Sequence, residues 1–327
     1  MKVITYSKNV FIPLTTICAN DCSYCHFKEP ISQAKIMSLS QIKTTIRQAK
    51  KAGCKEVLFT SGSCPEDVSG FEKKLKRETG FESWFEFLIA VCREALKQGL
   101  LPHTNVGVLS KEKLKKLARY NASLGLMLET TADVEAHKLS PTKSFAVRRE
   151  MIAAAGQLKI PFTSGLLLGI GENRKDRIES LEELKKLDEQ YGHLQEIILQ
   201  PVDPPQRSGL SAPGLEAVLD TLELAKDILP KHIALQVPPN LVEMKALIAT
   251  PINDLGGIST LTPDYINPDH QWPKIKRIKK QFSEIKFQER LPVYEQYLNQ
   301  DWIREPVWKC LQNEGMLNEF KTEKNSK

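Results

Sequence analysis

The sequence predicts an α/β protein that folds as a full or partial (β/α) barrel with a helical C-terminal extension. Apolar runs typical of strands alternate with amphipathic helical runs, in six or seven units about 30–40 residues apart. This alternation indicates parallel strands joined by right-handed crossovers. The number of units and the length of 327 residues favour a barrel over an open doubly wound sheet.

The strand predictions depend on short apolar runs bounded by turn residues. Residues 56–60 form the clearest one, a near-continuous apolar segment of the kind that is buried on both faces of a parallel sheet. The first run ends near Pro13, which lacks the N–H group that a sheet ladder uses. Seven strands are predicted, at residues 10–15, 56–60, 101–105, 124–129, 161–169, 196–200 and 233–237.

The helix predictions depend on capping residues and on apolar positions three and four apart. Ser38 and Gln41 form a capping-box pattern, Ile42 and Ile46 share one face of the helix that follows, and Gly53 ends it. Helices are predicted at residues 38–52, 84–97, 110–120, 144–158, 174–191 and 213–229.

The last third of the chain has a different character. Turn-forming Pro, Gly, Asn and Asp residues are frequent from residue 238 to residue 268, and the final fifty or so residues have a helical pattern. We therefore predict a barrel core at residues 1–240 and an extension packed on it at residues 241–327. Residues 322–327 are expected to be frayed.

Composition excludes several classes of function. The formal net charge is only +6, and the Lys-rich stretches at 73–76, 111–116 and 274–280 contain few aromatic residues, which favours solvated helix faces over a nucleic-acid interface. The N-terminus lacks a signal-peptide pattern, and no apolar run reaches the length of a membrane span. We therefore expect a cytoplasmic protein that binds neither nucleic acid nor membrane.

Three cysteines lie within eight residues and predict a metal centre. Cys18, Cys22 and Cys25 offer thiolates, the soft ligands that iron–sulfur clusters and zinc prefer. Three protein ligands indicate a centre with one open position. A zinc site that adds His26 is the alternative, although His26 adjoins Cys25 and is poorly placed to reach the same ion. The other four cysteines are scattered, and each is expected to be a core or surface residue and not a ligand: Cys54, Cys64, Cys92 and Cys310. Cys64 is the one exception to consider, because it lies in a loop predicted to border the active site.

Polar and glycine residues follow the predicted strands in succession. In a barrel, the carboxyl ends of the strands form the catalytic face. Strand ends carry polar residues by default, so any single position is weak evidence, and the succession is stronger. The residues concerned are Ser61, Gly62, His103, Asn105, Glu129, Gly169, Gly171, Glu172 and Gln200.

The cysteine motif and many other segments resemble a known family. The spacing Cys-x₃-Cys-x₂-Cys, with Tyr24 before the last cysteine, resembles the cluster-binding motif of radical S-adenosylmethionine (SAM) enzymes. Within that superfamily the chain is similar to the deazaflavin (FO) synthase subunits of the CofG family, over about residues 5–275. The matching segments are 6–15, 58–62, 102–110, 127–129, 137–141, 160–172, 191–196, 238–241, 252–257 and 262–268.

The resemblance implies a cofactor set. Cys18, Cys22 and Cys25 would bind three irons of one 4Fe-4S cluster, and SAM would bind the fourth iron and yield a 5′-deoxyadenosyl radical when an external electron donor reduces the cluster. An ordinary ion pair remains the alternative reading of Glu129 and Arg148. The implied cofactor-binding residues are Tyr24 in the cysteine motif, Ser61 and Gly62 near the SAM ammonium, Glu129 at the ribose, Arg148 at the carboxylate, and Gly169 and Gly171 beside the adenosine.

The resemblance also implies a substrate and a reaction. The radical would abstract hydrogen from 5-amino-5-(4-hydroxybenzyl)-6-(D-ribitylimino)-5,6-dihydrouracil, a small molecule made by the CofH subunit, with which a complex is possible. Cyclisation and loss of ammonia would give 7,8-didemethyl-8-hydroxy-5-deazariboflavin, as in a carbon–nitrogen lyase. The candidate catalytic residues are His103, His137 and Lys138, and the candidate substrate-binding residues are Asn105 and Gln200.

Two other functions remain open at this point. A radical SAM enzyme with another substrate, such as a relative of the menaquinone-pathway enzymes or of biotin synthase, would share the cysteine motif. A non-catalytic iron–sulfur or zinc protein would use the same thiols without cleaving SAM.

Overall fold

The structure, a computed structural model, describes residues 1–321 and shows a closed barrel of eight parallel strands. The predicted barrel is therefore confirmed and is complete. A ninth strand joins the barrel at one edge. The strands are β1 (Val3–Thr15), β2 (Glu56–Ser61), β3 (Leu101–Asn105), β4 (Ser123–Gly125), β5 (Phe162–Leu168), β6 (Leu194–Pro201), β7 (Ala234–Gln236), β8 (Asp254–Ser259) and β9 (Lys286–Arg290).

Strand β1 closes the barrel because it pairs with neighbours on both of its edges. Residues 5–9 pair with β8 along one edge. Along the other edge, residues 3–7 pair with β9 and residues 9–15 pair with β2. The sequence prediction began this strand only at residue 10, because the preceding residues alternate polar and apolar side chains instead of forming a continuous apolar run.

Helices cover the outside of the barrel, and their predicted starts and ends agree closely with the structure. Ser38 caps α1 with the full capping box to Gln41. Helix α2 was not predicted as a separate element, and the Lys-rich stretch 73–76 lies on it. The helices are α1 (Leu39–Lys51), α2 (Phe71–Thr79), α3 (Trp84–Lys97), α4 (Lys111–Leu117), α5 (Phe145–Gln157), α6 (Arg174–Tyr191), α7 (Leu215–Ile228), α8 (Met244–Ile248), α9 (Ile275–Gln281), α10 (Glu305–Asn313) and α11 (Met316–Lys321).

The predicted domain boundary at residue 240 falls before the last barrel strand. Strand β8 completes the closure, so the barrel extends to Ser259. The sequence of β8 looked like a turn because it contains Gly256 and Gly257. Both glycines are needed for packing: a Cβ on Gly256 would lie 2.1 Å from the Gln236 side chain, and one on Gly257 would lie 2.2 Å from the Asn9 side chain.

The C-terminal segment forms a second, smaller core at the amino-terminal end of the strands. Leu291, Val293 and Val307 of this segment pack with Leu101, the first residue of β3. The segment contains β9 as well as α10 and α11, so it is only partly helical. The predicted frayed residues 322–327 lie outside the described residues. No helix among residues 1–321 is both long and apolar enough to cross a membrane.

Candidate active site

A cavity of about 340 Å³ occupies the inside of the barrel. Residues from seven of the eight barrel strands, and from the segment that follows β4, line it. The loop after β1 carries the three clustered cysteines to the carboxyl-terminal end of this cavity, and Cys18, Cys22 and Cys25 all contribute to its wall. Six of the nine predicted strand-end residues therefore line a single space: Ser61, Gly62, His103, Asn105, Glu129 and Gln200.

The cysteine loop is held by hydrogen bonds to sulfur and by one close backbone contact. The Ser63 N–H group donates to the Cys18 Sγ atom at 3.2 Å, and the Ser140 hydroxyl lies 3.2 Å from the Cys22 Sγ atom. A Cβ on Gly62 would lie 2.5 Å from the Cys18 Cβ atom, so only glycine fits beside this cysteine. Burial raises the pKa of the Cys18 and Cys22 thiols.

The chemistry of the three thiols in the cysteine loop suits an iron–sulfur cluster. The loop offers three soft thiolates, and hydrogen bonds to cysteine sulfur are among the contacts that tune such clusters. Within residues 1–321, no group of three or more His, Cys, Asp and Glu side chains is already arranged around one point as a metal site. The assignment of the three thiols therefore depends on their spacing, their shared cavity and their hydrogen bonds.

The remaining cysteines lie outside the cavity lining, as the sequence predicted. Cys54, Cys92 and Cys310 are buried in the packing of the barrel and its C-terminal segment. Cys64 is partly buried, and its thiol donates to the Val108 carbonyl at 3.8 Å.

Glu129 is the centre of a buried charge network at the mouth of the cavity. Its carboxylate pairs with Arg148 at 3.1 Å and with Lys143, and it accepts a hydrogen bond from the Tyr24 hydroxyl at 3.0 Å. His137 lies 3.1 Å away. Burial alone would raise the pKa of Glu129, but Arg148, Lys143 and His137 hold it well below its ordinary value. The group is therefore a carboxylate at neutral pH.

The backbone of Glu129 is also unusual. Strand β4 ends at Gly125, four residues earlier than the prediction of 124–129, and the chain then turns so that Glu129 has a φ of 72°. A non-glycine residue in this region costs about 1–3 kcal/mol and persists only where its surroundings enforce it. Here the Glu129 N–H group donates to the Gly165 carbonyl at 2.9 Å, and the Leu167 N–H group donates to the Glu129 carbonyl at 3.1 Å.

Some of the other residues predicted for the site line the cavity, and others lie outside it. The His137 ring lies beside Glu129, with its Nε2 atom 3.1 Å from the carboxylate and 3.0 Å from the Tyr24 hydroxyl, and it lies outside the cavity lining. Lys138 is exposed, pairs with Glu135 at 2.8 Å and also lies outside the lining. Gly169 and Gly171 follow β5 at the same end of the barrel and also lie outside the lining. Ser61, Gly62, Asn105 and Gln200 do line the cavity.

His103 presents a free ring nitrogen to the cavity. Its Nδ1 atom lies 2.7 Å from the Ser123 hydroxyl, which donates its only proton to the Pro292 carbonyl. The Nδ1 atom must therefore carry the hydrogen, and Nε2 holds a lone pair. Burial, followed by the charge of Arg290, lowers the pKa of His103 to about 4. The ring is therefore neutral at physiological pH, and its Nε2 lone pair can accept a hydrogen bond.

A polar floor, made by Asn9, Glu56, Glu196, Gln236 and Arg290, lines the cavity at the opposite end from the cysteines. Arg290 donates to Glu196 at 2.9 Å. It also forms a bidentate pair with Asp254, at 2.6 and 2.7 Å. Burial raises the pKa of Glu196 to about 8, with Arg290 opposing and Asp254 adding to the shift. The Glu196 carboxyl group is thus protonated at neutral pH.

Comparisons with known proteins agree with this site. The Radical SAM superfamily model matches residues 12–184, which include the cysteine loop and Glu129. A 7,8-didemethyl-8-hydroxy-5-deazariboflavin synthase of Methanosarcina barkeri is 47% identical over 309 residues, 93% of this chain and 95% of that protein. One of the same name from Methanosphaerula palustris is 48% identical over 303 residues, 92% of each chain.

The chain belongs to the radical SAM superfamily, in the family of 7,8-didemethyl-8-hydroxy-5-deazariboflavin synthases. Two solved structures share its fold at low sequence identity. The FeFe-hydrogenase maturase HydG of Carboxydothermus hydrogenoformans has a TM-score of 0.65 and 16% identity, covering 86% of this chain and 66% of HydG. Methylornithine synthase (PylB) has a TM-score of 0.60 and 19% identity, covering 97% of this chain and 82% of PylB. Membership of the superfamily implies a 4Fe-4S cluster and SAM as cofactors.

Sequence reasoning missed Lys143 and the polar floor of this radical SAM barrel. Lys143 belongs to a short turn before α5, and its amine lies 5.8 Å from the centre of the Tyr24 ring. The sequence contains one weak indication of the polar floor, because Glu56 and Glu196 are charged residues that begin otherwise apolar runs. Such residues look like strand boundaries in a sequence, and only the closed barrel shows that they point inward.

Because folded Glu196 keeps its proton, we expect the protein to become less stable as pH rises. A glutamate in the unfolded chain has released its proton above pH 4.5, whereas folded Glu196 keeps it up to about pH 8. The free energy of unfolding should therefore fall as pH rises through this window, by up to about 1.4 kcal/mol per pH unit for this proton. Glu196→Gln should flatten the slope in urea unfolding curves measured across the window. The exposed control Glu182→Gln should keep the wild-type slope, and equal slopes in all three proteins would contradict the assignment.

Proposed function

We propose that this chain is a 7,8-didemethyl-8-hydroxy-5-deazariboflavin synthase subunit that acts on the hydroxybenzyl–ribitylaminouracil adduct. The observation that carries the proposal is the cysteine loop opening into the same cavity as Glu129 and His103. Relatives 42–48% identical to this chain over more than nine-tenths of its length bear the name of this activity, which supports the choice of substrate. The reducing cytoplasm suits such thiolate chemistry.

Cys18, Cys22 and Cys25 would hold the cluster, and SAM would take its open coordination position. When bound, the cluster and SAM supply reductive radical chemistry that abstracts hydrogen from the substrate. The protein orients the cofactors and excludes water. Glu129 is ionised and lines the cavity, so it is suited to accept hydrogen bonds from the ribose hydroxyls of SAM. Arg148 is engaged by Glu129 and by the Met127 carbonyl, which supports a role in positioning Glu129 over one in binding the SAM carboxylate.

His103 is the proton acceptor that we infer for the substrate side of the reaction. Ring closure releases a proton from the substrate, whereas the departing amine must gain one to leave as ammonia, and the neutral ring of His103, which lines the cavity, could take up the first proton and pass it to the amine. Asn105 and Gln200 line the same wall and offer amide groups for substrate contacts. The activity is then that of a carbon–nitrogen lyase, supplied with substrate by the CofH subunit and with electrons by an external donor.

The decisive experiment is anaerobic turnover of the reconstituted protein. The protein would be loaded with iron and sulfide, reduced with dithionite, and given SAM and the adduct. Formation of 5′-deoxyadenosine together with fluorescent deazaflavin is the expected result. Formation of 5′-deoxyadenosine without deazaflavin would reject this substrate and favour another radical SAM reaction. No 5′-deoxyadenosine at all would favour a non-catalytic iron–sulfur protein.

Glu129→Gln tests the SAM contact directly. The substitution keeps the shape of the side chain but removes the charge, so it weakens the acceptor that we assign to the ribose. We expect SAM affinity to fall about 10- to 100-fold, the cost of one hydrogen bond to a charged group. This affinity is measured by equilibrium binding of SAM to the reconstituted protein. The exposed Glu135→Gln, in the loop that carries His137, is the matched control and should bind SAM as wild type does. If Glu129→Gln bound SAM as tightly as wild type does, the assignment of Glu129 to the SAM site would be wrong.

A further inference from the structure

The barrel cavity has two chemically different ends. The cysteine loop and Glu129 lie at the carboxyl-terminal end of the strands, and the polar floor lies at the amino-terminal end. On β2, Glu56 of the floor and Ser61 beside the cysteine loop are five positions apart. This separation is roughly 16 Å along the strand, or about 13 Å along the barrel axis after strand tilt. An elongated small molecule can therefore reach from one end to the other.

Apolar side chains form part of the wall between the two ends. Leu58, Met127, Leu167 and Ile198 line the cavity there, and His103 lies beside Leu58 in the ladder between β2 and β3. A ligand that spans the cavity is therefore expected to place an apolar surface against these four side chains and a hydrogen-bonding tail in the floor. Polar groups placed against the four apolar side chains would lose their water without gaining partners.

Two amide side chains in the floor are incompletely satisfied. Asn9 is 1% exposed and Gln236 is 7% exposed, and both line the cavity. The Asn9 Oδ1 atom and the Gln236 Oε1 atom receive no hydrogen bond from any described residue. Buried amide oxygens without a partner are uncommon and destabilising, so their presence requires an explanation. The two glycines of β8 leave the room in which these amides lie.

The charge of the floor limits the kind of ligand that it can hold. Three carboxyl groups, of Glu56, Glu196 and Asp254, surround the single cation Arg290. The Arg290 guanidinium is already engaged by Asp254 and Glu196, so an anionic tail, such as a phosphate or carboxylate, would find no unpaired positive charge in the floor. A metal ion is also disfavoured, because none of the described acidic clusters is arranged for one. Burial raises the pKa of Glu56, and it raises the pKa of Glu196 to about 8, so at least the Glu196 carboxyl group adds no negative charge to the floor at neutral pH.

We propose that the polar floor binds the polyhydroxyl tail of the substrate, the ribityl chain, and thereby holds its ring system toward the cysteine end of the barrel. Hydroxyl groups both donate and accept, so a polyol can donate to the amide oxygens of Asn9 and Gln236 and accept from amide N–H groups of the same side chains. The inference deepens the proposed function and rests on it for the identity of the tail. The relatives are named for a riboflavin analogue, a class of molecule that carries a ribityl chain.

Binding of matched probes tests the floor without requiring turnover. The reconstituted protein with SAM would be titrated calorimetrically with 5-amino-6-(D-ribitylamino)uracil and with the same uracil bearing an ethyl group in place of the ribityl chain. We expect wild type to prefer the ribityl probe by about tenfold or more, because each hydroxyl–amide hydrogen bond contributes severalfold. Gln236→Met should reduce that preference severalfold and leave the affinity for the ethyl probe unchanged.

Control variants separate a floor contact from a structural effect. Gln48→Met makes the same replacement on the exposed face of α1 and should keep the wild-type preference. Asn9→Leu is a second floor variant in case Gln236→Met does not fold. Equal affinity of wild type for the two probes, or an equal loss for both probes in Gln236→Met, would overturn the floor assignment.

The same samples distinguish failure of the floor assignment from failure of the proposed function. A clear ribityl preference with no deazaflavin formed from the adduct would reject the synthase activity and keep the floor site. Deazaflavin formation with no ribityl preference in binding would keep the activity and reject the floor site.

Discussion

Replacing Cys22 by alanine is expected to abolish cluster assembly and to reduce SAM cleavage to background. The cysteine loop supplies three thiols to one cavity, and the Cys22 thiol is 8% exposed and lies 3.2 Å from the Ser140 hydroxyl. Loss of one thiol leaves two protein ligands for the cluster, with no other cysteine of the described chain lining the cavity to replace it. Iron content, visible absorbance and 5′-deoxyadenosine formation measure the result after anaerobic reconstitution.

Cys54→Ala is the matched control for this experiment. Cys54 is also buried, but it lies in the barrel packing, where its thiol donates to the Asn9 carbonyl at 3.3 Å. The variant should therefore bind as much iron as wild type and cleave SAM. Equal iron content in Cys22→Ala and Cys54→Ala would refute the ligand assignment. Loss of iron in both variants would show that cluster assembly depends on the overall stability of the protein and not specifically on the Cys22 thiol.

The elements with strong local signals could be predicted from the sequence alone. Helix α3 begins and ends where its apolar spacing indicated, and α1 begins at the capping box of Ser38. The cysteine loop, His103 and Glu129 were found because each follows a predicted strand, and the carboxyl ends of parallel strands meet at one face. Local pattern and topology together were enough to predict these residues of that half of the cavity, but not Lys143, which pairs with Glu129.

The opposite half depends on contacts between residues far apart in the chain. Arg290 reaches Glu196, which is 94 positions away, and Asp254, which is 36 positions away. No local pattern couples these residues, and β9, which carries Arg290, lay in a region predicted as helical. The β8 glycines were misread for a related reason: their role is to leave room for the side chains of Gln236 and Asn9, on strands β7 and β1.

Arg290→Met is expected to destabilise the fold by roughly 3–5 kcal/mol, the usual cost of removing one partner from a buried ion pair. Arg290 lies in the polar floor and is 8% exposed. Without its guanidinium group, the carboxylate of fully buried Asp254 loses both hydrogen bonds of its bidentate pair. Urea unfolding at neutral pH measures the loss. Arg174→Met removes an arginine from the exposed pair with Asp220 and should change stability little.

The pH dependence of this loss distinguishes unpaired charge from lost packing. If the cost arises from the buried Asp254 carboxylate, protonation relieves it, because a neutral carboxyl group needs no cation in the interior. The deficit of Arg290→Met relative to wild type should then shrink as pH falls below neutrality. Asp254→Asn added to Arg290→Met should recover part of the stability at neutral pH for the same reason. A deficit independent of pH, with no recovery in the double variant, would mean that the arginine stabilises the barrel by filling space and not by its charge.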